Sequence, residues 1–186
     1  QQLGFPRMAE RQSQKKWDKK LLESVVGQTL VIVGYGRIGK EVGRLAKAIG
    51  LKVIGVRKRP SPCPYADEVI SNCKLQNALG QADFILNVLP LTEETRGFFN
   101  NDIFCSIKNG AYLINTGRGH VIDECALLEA LRSGQLSGAT LDVFADEPLP
   151  SNNPLWTTKN VIITPHTAGD AVNWEDAITD LFCCAF

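Results

Sequence analysis

Three polar side chains suited to proton transfer and anion binding follow apolar runs in the second half of the chain. Arg118 lies in NTGRG (115–119), Glu147 closes LDVFADE (141–147), and His166 lies in PHTAG (165–169). A guanidinium binds oxyanions, and an imidazole exchanges a proton near neutral pH. Read singly, they would be a loop cation, a solvated acid and a structural histidine. Following three successive strands, they instead predict that Arg118, Glu147 and His166 converge at one functional site at the carboxyl edge of a sheet.

A glycine-rich turn, GYGRIG (34–39), directly follows one apolar run and directly opens a helical pattern. In this context the first two glycines, Gly34 and Gly36, permit a tight turn and close backbone approach, and Gly39 lets helix and strand pack closely. The free amides at the helix start then face a pyrophosphate. The alternative is a plain glycine-rich turn, which the flanking strand and helix disfavour. The sequence therefore predicts a dinucleotide-binding site.

Three cations, Arg57, Lys58 and Arg59, end the next apolar run, about 20 residues after the glycines. An NAD site usually carries an acid there, which bonds the ribose hydroxyls. An acid would repel a 2′-phosphate, whereas arginine can bind it through two hydrogen bonds. A solvated run of loop charges is the alternative. The position favours NADP as the preferred cofactor and NAD as the second choice.

The elements that must position these groups alternate between short apolar runs and helical segments. The apolar runs are not interrupted by polar residues, which is typical of strands buried on both faces of a parallel sheet. Ile38 to Ile49 form an amphipathic helical pattern ended by Gly50, and Asp123 caps a second helix with Gly134 beyond it. We therefore predict an α/β fold, a Rossmann-type doubly wound parallel sheet with flanking helices. The predicted strands are 29–33, 52–56, 84–89, 111–115, 139–143 and 161–164.

Composition narrows the classes of function. The chain has 186 residues, 44% of them hydrophobic, with 20 basic and 20 acidic side chains. This balance predicts no nucleic-acid partner, and no apolar run reaches the roughly 18 residues of a membrane span. The N-terminal residues lack the apolar stretch of a secretory signal. Six cysteines form no CxxC pair and no spacing suited to zinc, which predicts no metal. A reducing, cytoplasmic location fits best, and a secreted protein is the alternative that composition alone also allows.

The ordered motifs GYGRIG, LPLTEETR, NTGRG, LDVFADEPL and PHTAG resemble the D-isomer-specific 2-hydroxyacid dehydrogenase family. The resemblance runs from about Leu22 to Gly169, and the basic run at Arg57 resembles its glyoxylate/hydroxypyruvate reductase branch. It implies that Arg118 holds the carboxylate and keto oxygen of the substrate, with His166 as acid/base and Glu147 as its partner. His120, the other histidine, is interpreted as structural. The cofactor residues implied, beyond the glycines and the basic run, are Arg37, Ile38, Leu89, Pro90, Thr95, Thr116, Gly117, Arg118, Asp142, His166 and Ala168.

The resemblance also carries expectations about organisation and partners. Family members have two domains, so we expect an interdomain helix in 1–23, an NAD(P)-binding domain in 24–169, and in 170–186 the start of a C-terminal helix returning toward a substrate domain absent from this chain. The expected partners are a small 2-oxo or 2-hydroxy acid and a second copy of the chain. The isolated chain is expected to bind cofactor and turn over poorly, because the missing domain would close the cleft.

Two other functions fit part of the pattern. A cofactor-sensing corepressor on the same scaffold keeps the same Arg, Glu and His, but a basic run that selects NADP is not its usual pattern. Another enzyme of the superfamily, such as a formate dehydrogenase, needs no His–Glu pair to protonate a product alcohol. The proposed reductase is therefore favoured, with the binding protein as its alternative.

Overall fold

A computed structural model describes residues 5–17, 19 and 23–170. The predicted C-terminal helix from about Ala171 lies outside the described residues. The strands are β1 Thr29–Val33, β2 Lys52–Val56, β3 Glu68–Ile70, β4 Phe84–Asn87, β5 Ala111–Asn115, β6 Leu136–Leu141 and β7 Val161–Ile163. The helices are α1 Phe5–Ser13, α2 Arg37–Ala48, α3 Leu75–Leu79, α4 Asn101–Ser106 and α5 Glu124–Arg132, with single 3₁₀ turns at Asn72–Lys74, Gly119–Val121 and Pro154–Thr157.

The seven strands form one parallel sheet in the order β3-β2-β1-β4-β5-β6-β7. Strand β1 lies between β2 and β4, with Val33 in register with Val56 on one side and Asn87 on the other. The strand order reverses between β1 and β4, and the carboxyl ends of such strands border the ligand crevice of open α/β sheets. The predicted Rossmann-type fold is confirmed. No helix within the described ranges is long and apolar enough to cross a membrane.

The predicted strands match β1, β2 and β5 residue for residue, and the others differ at their ends. β4 ends at Asn87 instead of residue 89, because Oδ1 of Asn87 accepts the Leu89 amide and turns the chain. β6 begins earlier, at Leu136, and ends at Leu141 instead of residue 143, and β7 ends one residue early at Ile163. β3 was not predicted, since three residues beginning with an exposed glutamate make no apolar run.

Helix α2 packs on the sheet through small residues and Val42, and not through its largest apolar side chains. Gly39, Gly43 and Ala46 are its buried residues, and a Cβ on Gly39 would lie 2.9 Å from the carbonyl oxygen of Gly34. The large members of the predicted apolar face point outward: Ile38, Leu45 and Ile49 are 68%, 52% and 59% exposed. Gly50, with φ 87°, ends the helix as predicted.

Tyr35, between the first two glycines of the turn, anchors the turn to the sheet. Its side chain is buried, and a Cβ on Gly55 of β2 would lie 2.4 Å from its Cγ. A Cβ on Gly43 would lie 2.8 Å from its hydroxyl oxygen and 2.6 Å from the carbonyl oxygen of Tyr65. Burial raises the pKa of Tyr35 far above its ordinary value, and its hydroxyl donates to Sγ of Cys63 at 3.8 Å. The two glycines therefore provide the space that the ring fills.

Helix α5, which connects β5 to β6, begins as the sequence predicts. The Asp123 carboxylate accepts the Ala126 amide at 3.1 Å, and Gly134 follows the helix with φ 81°. Helix α5 packs against α4 and β6, and its Leu127 and Leu128 join the larger of two apolar clusters. This packing fixes the carboxyl ends of β5 and β6, from which the candidate catalytic loops leave.

Candidate active site

The glycine turn leaves the N-terminus of α2 open at the crevice. Gly34 has φ 101°, and a Cβ there would lie 2.9 Å from the carbonyl group of Val88, so only glycine fits. A Cβ on Gly36 would meet only the Gly34 carbonyl oxygen, at 3.9 Å, and no side chain of the described residues caps the helix. The first amides of α2, including those of Arg37 and Ile38, therefore face open space, as a bound pyrophosphate requires.

The wall of the crevice opposite β2 is built on a pair of buried asparagines. Asn87 and Asn115, the last residues of β4 and β5, bond through their side chains, and their remaining oxygen contacts hold the amides of Leu89 and Gly117. A Cβ on Gly117 would lie 2.8 Å from the carbonyl oxygen of Leu89. The loops that follow β4 and β5 thus touch each other without a side chain between them.

Of the candidate cofactor residues on these loops, Thr95 is the best anchored. Its hydroxyl donates to the carbonyl oxygen of Pro90 and accepts the Thr92 amide, both at 2.7 Å. The Thr116 amide donates to the carbonyl oxygen of Asn87 at 3.2 Å. The structure therefore brings Leu89, Pro90, Thr95, Thr116 and Gly117 to the crevice edge on a rigid support.

His166 and Glu147 form the hydrogen-bonded pair expected for acid–base chemistry. Nδ1 of His166 lies 2.7 Å from Oε2 of Glu147, and Oε1 accepts the Phe144 amide at 2.8 Å. Burial raises the pKa of Glu147, but these hydrogen bonds and the charges of His166 and Arg118 outweigh it and lower the pKa below its ordinary value. An ionised carboxylate only accepts, so Nδ1 carries the hydrogen and Nε2 is the free ring nitrogen.

Asp142 fixes the turn that carries His166. It is buried, and its two carboxylate oxygens accept the amides of Thr167 and Ala168, both at 3.0 Å. Burial raises its pKa, but these bonds and one from the Thr164 hydroxyl lower it overall. The backbone carbonyl of Asp142 accepts the His166 amide at 2.9 Å, and His166 has φ 54°. Asp142 therefore holds His166 in a left-handed conformation that a free histidine rarely adopts.

Arg118 is exposed, and its Nη1 donates to the carbonyl oxygen of Gly117 at 2.7 Å. The residue that follows it, Gly119, packs against the backbone beyond β6: a Cβ there would lie 1.9 Å from the carbonyl carbon of Phe144. This contact brings the loop of Arg118 against the loop of Glu147. His120, also exposed, accepts the Gly97 amide through its backbone carbonyl.

The three cations after β2 lie in different surroundings. Arg57 is half-buried, and its amide donates to the carbonyl oxygen of Ile70 at 3.0 Å. Arg59 is exposed. Lys58 forms an ion pair with Glu94, which belongs to the loop after β4. Arg57 is therefore the best placed of the three to meet a phosphate at the end of β2.

The sequence interpretation did not single out Asn87, Asn115, Gly119 or Glu94 as site residues. A signal for the first two exists: each is the last residue of a run that is otherwise apolar, the position that borders the crevice. Gly119 stands beside Arg118 in the motif, but its contact partner lies 25 residues along the chain. The pairing of Glu94 with Lys58 spans 36 residues and has no local signal.

A cavity of about 470 Å³ adjoins the His166–Glu147 pair, with apolar walls that include Phe144, Trp156 and Pro165. The described residues contain no group of three or more His, Cys, Asp or Glu side chains arranged to hold a metal ion. Cys63, Cys73, Cys105 and Cys125 are free thiols. The arrangement thus offers a dinucleotide crevice and, at its far end, an imidazole, a carboxylate and a guanidinium.

Comparison with known proteins agrees with this arrangement. Residues 3–168 match the family model described as D-isomer specific 2-hydroxyacid dehydrogenase, NAD binding domain. A hydroxypyruvate reductase of Blautia hydrogenotrophica is 39% identical over 150 residues, which cover 81% of this chain and 46% of that protein. The chain spans about half the length of such curated relatives.

Solved structures give the same result. A D-isomer specific 2-hydroxyacid dehydrogenase family protein of Aeromonas salmonicida is 41% identical with a TM-score of 0.88, covering 96% of this chain and 57% of that one. An NADPH-dependent glyoxylate/hydroxypyruvate reductase of Sinorhizobium meliloti is 32% identical with a TM-score of 0.85, covering 91% and 87%. The similarity therefore extends through the whole sheet and both loops of the candidate site.

Proposed function

The chain belongs to the D-isomer-specific 2-hydroxyacid dehydrogenase family, and we propose that its protein reduces a 2-oxo acid to a D-2-hydroxy acid with NADPH. The observation that carries the proposal is the His166–Glu147 pair, 2.7 Å from Nδ1 to Oε2, on the same sheet edge as the open N-terminus of α2. A cofactor crevice and an acid–base pair on one edge suit hydride transfer coupled to proton transfer. Glyoxylate and hydroxypyruvate are the substrates that the relatives' names favour.

The proposed roles follow from the chemistry of each group. The cofactor, when bound, supplies a hydride to the carbonyl carbon of the 2-oxo acid. Arg118 binds the substrate carboxylate and stabilises the negative charge that develops on the keto oxygen. His166, protonated and oriented through Nδ1, donates from Nε2 the proton that completes the hydroxyl group. Glu147 positions the ring and stabilises its charged form.

The choice of NADP over NAD is supported by Arg57. It ends β2, where an NAD site usually carries an acid, and its half-buried position strengthens a hydrogen bond to phosphate. Besides Arg57, the proposed cofactor site comprises the first amides of α2, the loop from Leu89 to Thr95, and the segments around Thr116 and Ala168. Asp142, whose carboxylate oxygens accept the amides of Thr167 and Ala168, borders the nicotinamide end of the cofactor in the same proposal.

The test is turnover by the full-length protein. NADPH oxidation is followed at 340 nm with glyoxylate, with hydroxypyruvate and without acceptor, and the stereochemistry of the product is assigned. Acceptor-dependent oxidation that yields a D-2-hydroxy acid supports the proposal. Saturable NADPH binding without turnover of any 2-oxo acid would instead support the cofactor-sensing binding protein. A matched sample of residues 1–186 alone, about half the length of the curated relatives, should bind NADPH and turn over more slowly than the full-length protein.

A homodimer through this domain is supported by the outer face of α2. Ile38, Leu45 and Ile49 lie at helical spacing and are more than half exposed, and Val26 packs beside Gly50 at the end of the helix. Exposed apolar stripes of this kind suit burial against a second copy. Light scattering should give twice the chain mass, and Leu45→Glu should shift it toward the monomer, while Lys74→Glu on the exposed turn before α3 should not.

A further inference from the structure

An ion pair that the proposed reaction does not use joins the two walls of the crevice. Nζ of Lys58 contacts Oε2 of Glu94, and both side chains are 68% exposed. Lys58 follows β2 and Glu94 follows β4, and β1 with its glycine turn lies between these strands. The pair therefore spans the crevice above the carboxyl end of β1.

A dinucleotide in this crevice must pass between the same two walls. The α2 amides take the pyrophosphate, and the end of β2 takes the ribose next to the adenine. The glycine turn already touches the opposite wall, since Gly34 lies against the Val88 backbone. The adenosine half is consequently confined to the space that Lys58 and Glu94 bridge.

We propose that Glu94 is a specificity-determining residue that limits the preference for NADP over NAD. It occupies Lys58, the cation next to Arg57, and a 2′-phosphate must displace it to reach that cation. A phosphate monoester carries about −1.5 to −2 charges at neutral pH, so Glu94 also repels it. A 2′-hydroxyl neither competes for Lys58 nor meets this repulsion. The inference rests on the proposed cofactor site and adds a residue that acts against the preferred cofactor.

Because the Lys58 and Glu94 side chains are exposed, the expected effect of Glu94 on NADPH affinity is small. Ion pairs between exposed side chains are weak and are screened by salt. Loss of the Glu94 charge should therefore tighten NADPH binding about two- to fivefold at low ionic strength and leave NADH binding unchanged. The difference should shrink in about 0.5 M salt, where the screening length falls to a few ångströms.

The experiment is calorimetric titration of the full-length protein with NADPH and with NADH. Glu94→Gln is compared with Glu93→Gln, which removes the same charge from the adjacent exposed residue of the same loop. We expect selective tightening of NADPH binding in Glu94→Gln and a smaller change in Glu93→Gln. Unchanged or weaker NADPH binding, equal changes for both cofactors, or an equal effect of Glu93→Gln would overturn the proposal.

A second comparison isolates the ion pair. In a Lys58→Gln background, Glu94→Gln should give a smaller gain in NADPH affinity, because no cation is released. An equal gain would overturn the displacement of an ion pair as the mechanism. Failure of either cofactor to bind the unmodified protein would overturn the proposed cofactor site together with the role of Glu94, whereas the outcomes above contradict only that role.

Discussion

Asn87 donates from Nδ2 to Oδ1 of Asn115 at 2.9 Å, and this buried contact joins the ends of β4 and β5. Each oxygen also accepts a backbone amide from the loop that follows its own strand, Leu89 in one case and Gly117 in the other. One amide pair thus sets the separation of the two loops that border the crevice. Neither side chain leaves a buried polar atom without a partner.

Asn115→Ala should destabilise the fold and loosen the crevice. It leaves Nδ2 of Asn87 and the Gly117 amide without their acceptor, and buried unpaired groups cost about 1–3 kcal/mol. Urea denaturation should show that loss in the free energy of unfolding, accompanied by weaker NADPH binding. Asn77→Ala, at an exposed position of α3, is the matched control. A loss no greater than that of the control would contradict the role of the pair.

Gly119→Ala should disrupt the approach of the two candidate catalytic loops, which carry Arg118 and Glu147. The new Cβ would lie 1.9–2.4 Å from backbone atoms of Phe144 and Ala145, so the loop of Arg118 must move away from the loop of Glu147. Overpacking of this kind typically costs about 1–3 kcal/mol, and turnover should fall further than stability alone explains. Gly80→Ala is the control, because its nearest contacts at 3.6–3.7 Å are ordinary. Wild-type turnover in Gly119→Ala would show that the contact is not needed.

His166→Ala and Arg118→Ala should lower turnover far more than they weaken NADPH binding. In the proposed reaction both groups act on charge that appears during the chemical step, so their loss should fall mainly on the transition state. For a general acid the expected loss of kcat is about 10²- to 10⁴-fold, and for the removed cation about 10²- to 10³-fold. Steady-state kinetics and calorimetry together test this, with His120→Ala as the control. Equal losses in kcat and in cofactor affinity would place these residues in binding alone.

Glu147→Gln should keep residual activity and move the pH optimum downward. Its lowered pKa keeps the carboxylate ionised at neutral pH, where it stabilises the protonated form of His166. A neutral amide gives no such stabilisation, so the proton donor is lost at lower pH and the alkaline limb of the reductive profile moves to lower pH. The profile of kcat/KM against pH checks this, and Asp146→Asn, the adjacent exposed acid, serves as control. An unmoved profile would rule out the His–Glu coupling.

Arg57→Asp should reverse the proposed preference for NADP over NAD. A charge-assisted contact with phosphate is worth about 1.5–3 kcal/mol, which corresponds to roughly a ten- to hundredfold preference for NADPH. The variant should lose NADPH affinity and keep or improve NADH affinity, because the new acid repels phosphate and can bond ribose hydroxyls. Lys52→Asp makes the same charge change at the opposite end of β2 and should alter neither the NADPH affinity nor the NADH affinity. Equal affinities for both cofactors, unchanged by Arg57→Asp, would identify the basic run as solvated.

The sequence predicted well those features that depend on residues close to one another in the chain. The glycine turn, the Asp123 cap and the alternation of strands with helices depend on contacts within a few residues, and the structure confirms them. Periodicity predicted the inward positions of Val42 and Ala46 but not the burial of Gly39 and Gly43, which let the helix approach the turn closely and leave Leu45 outside. The Asn87–Asn115 and Lys58–Glu94 contacts join residues 28 and 36 positions apart, so only the sheet order brings them together.

The Tyr35 ring makes the effects of substitutions at distant positions depend on one another. The three atoms nearest to a Cβ on Gly55 all belong to Tyr35, so a side chain at 55 meets less obstruction once residue 35 is small. Gly43 differs, because the Tyr65 carbonyl oxygen, 2.6 Å from its Cβ position, remains whatever stands at 35. Among related sequences, a small residue at position 35 should therefore accompany a larger residue at position 55. Position 43 should remain glycine whichever residue stands at 35.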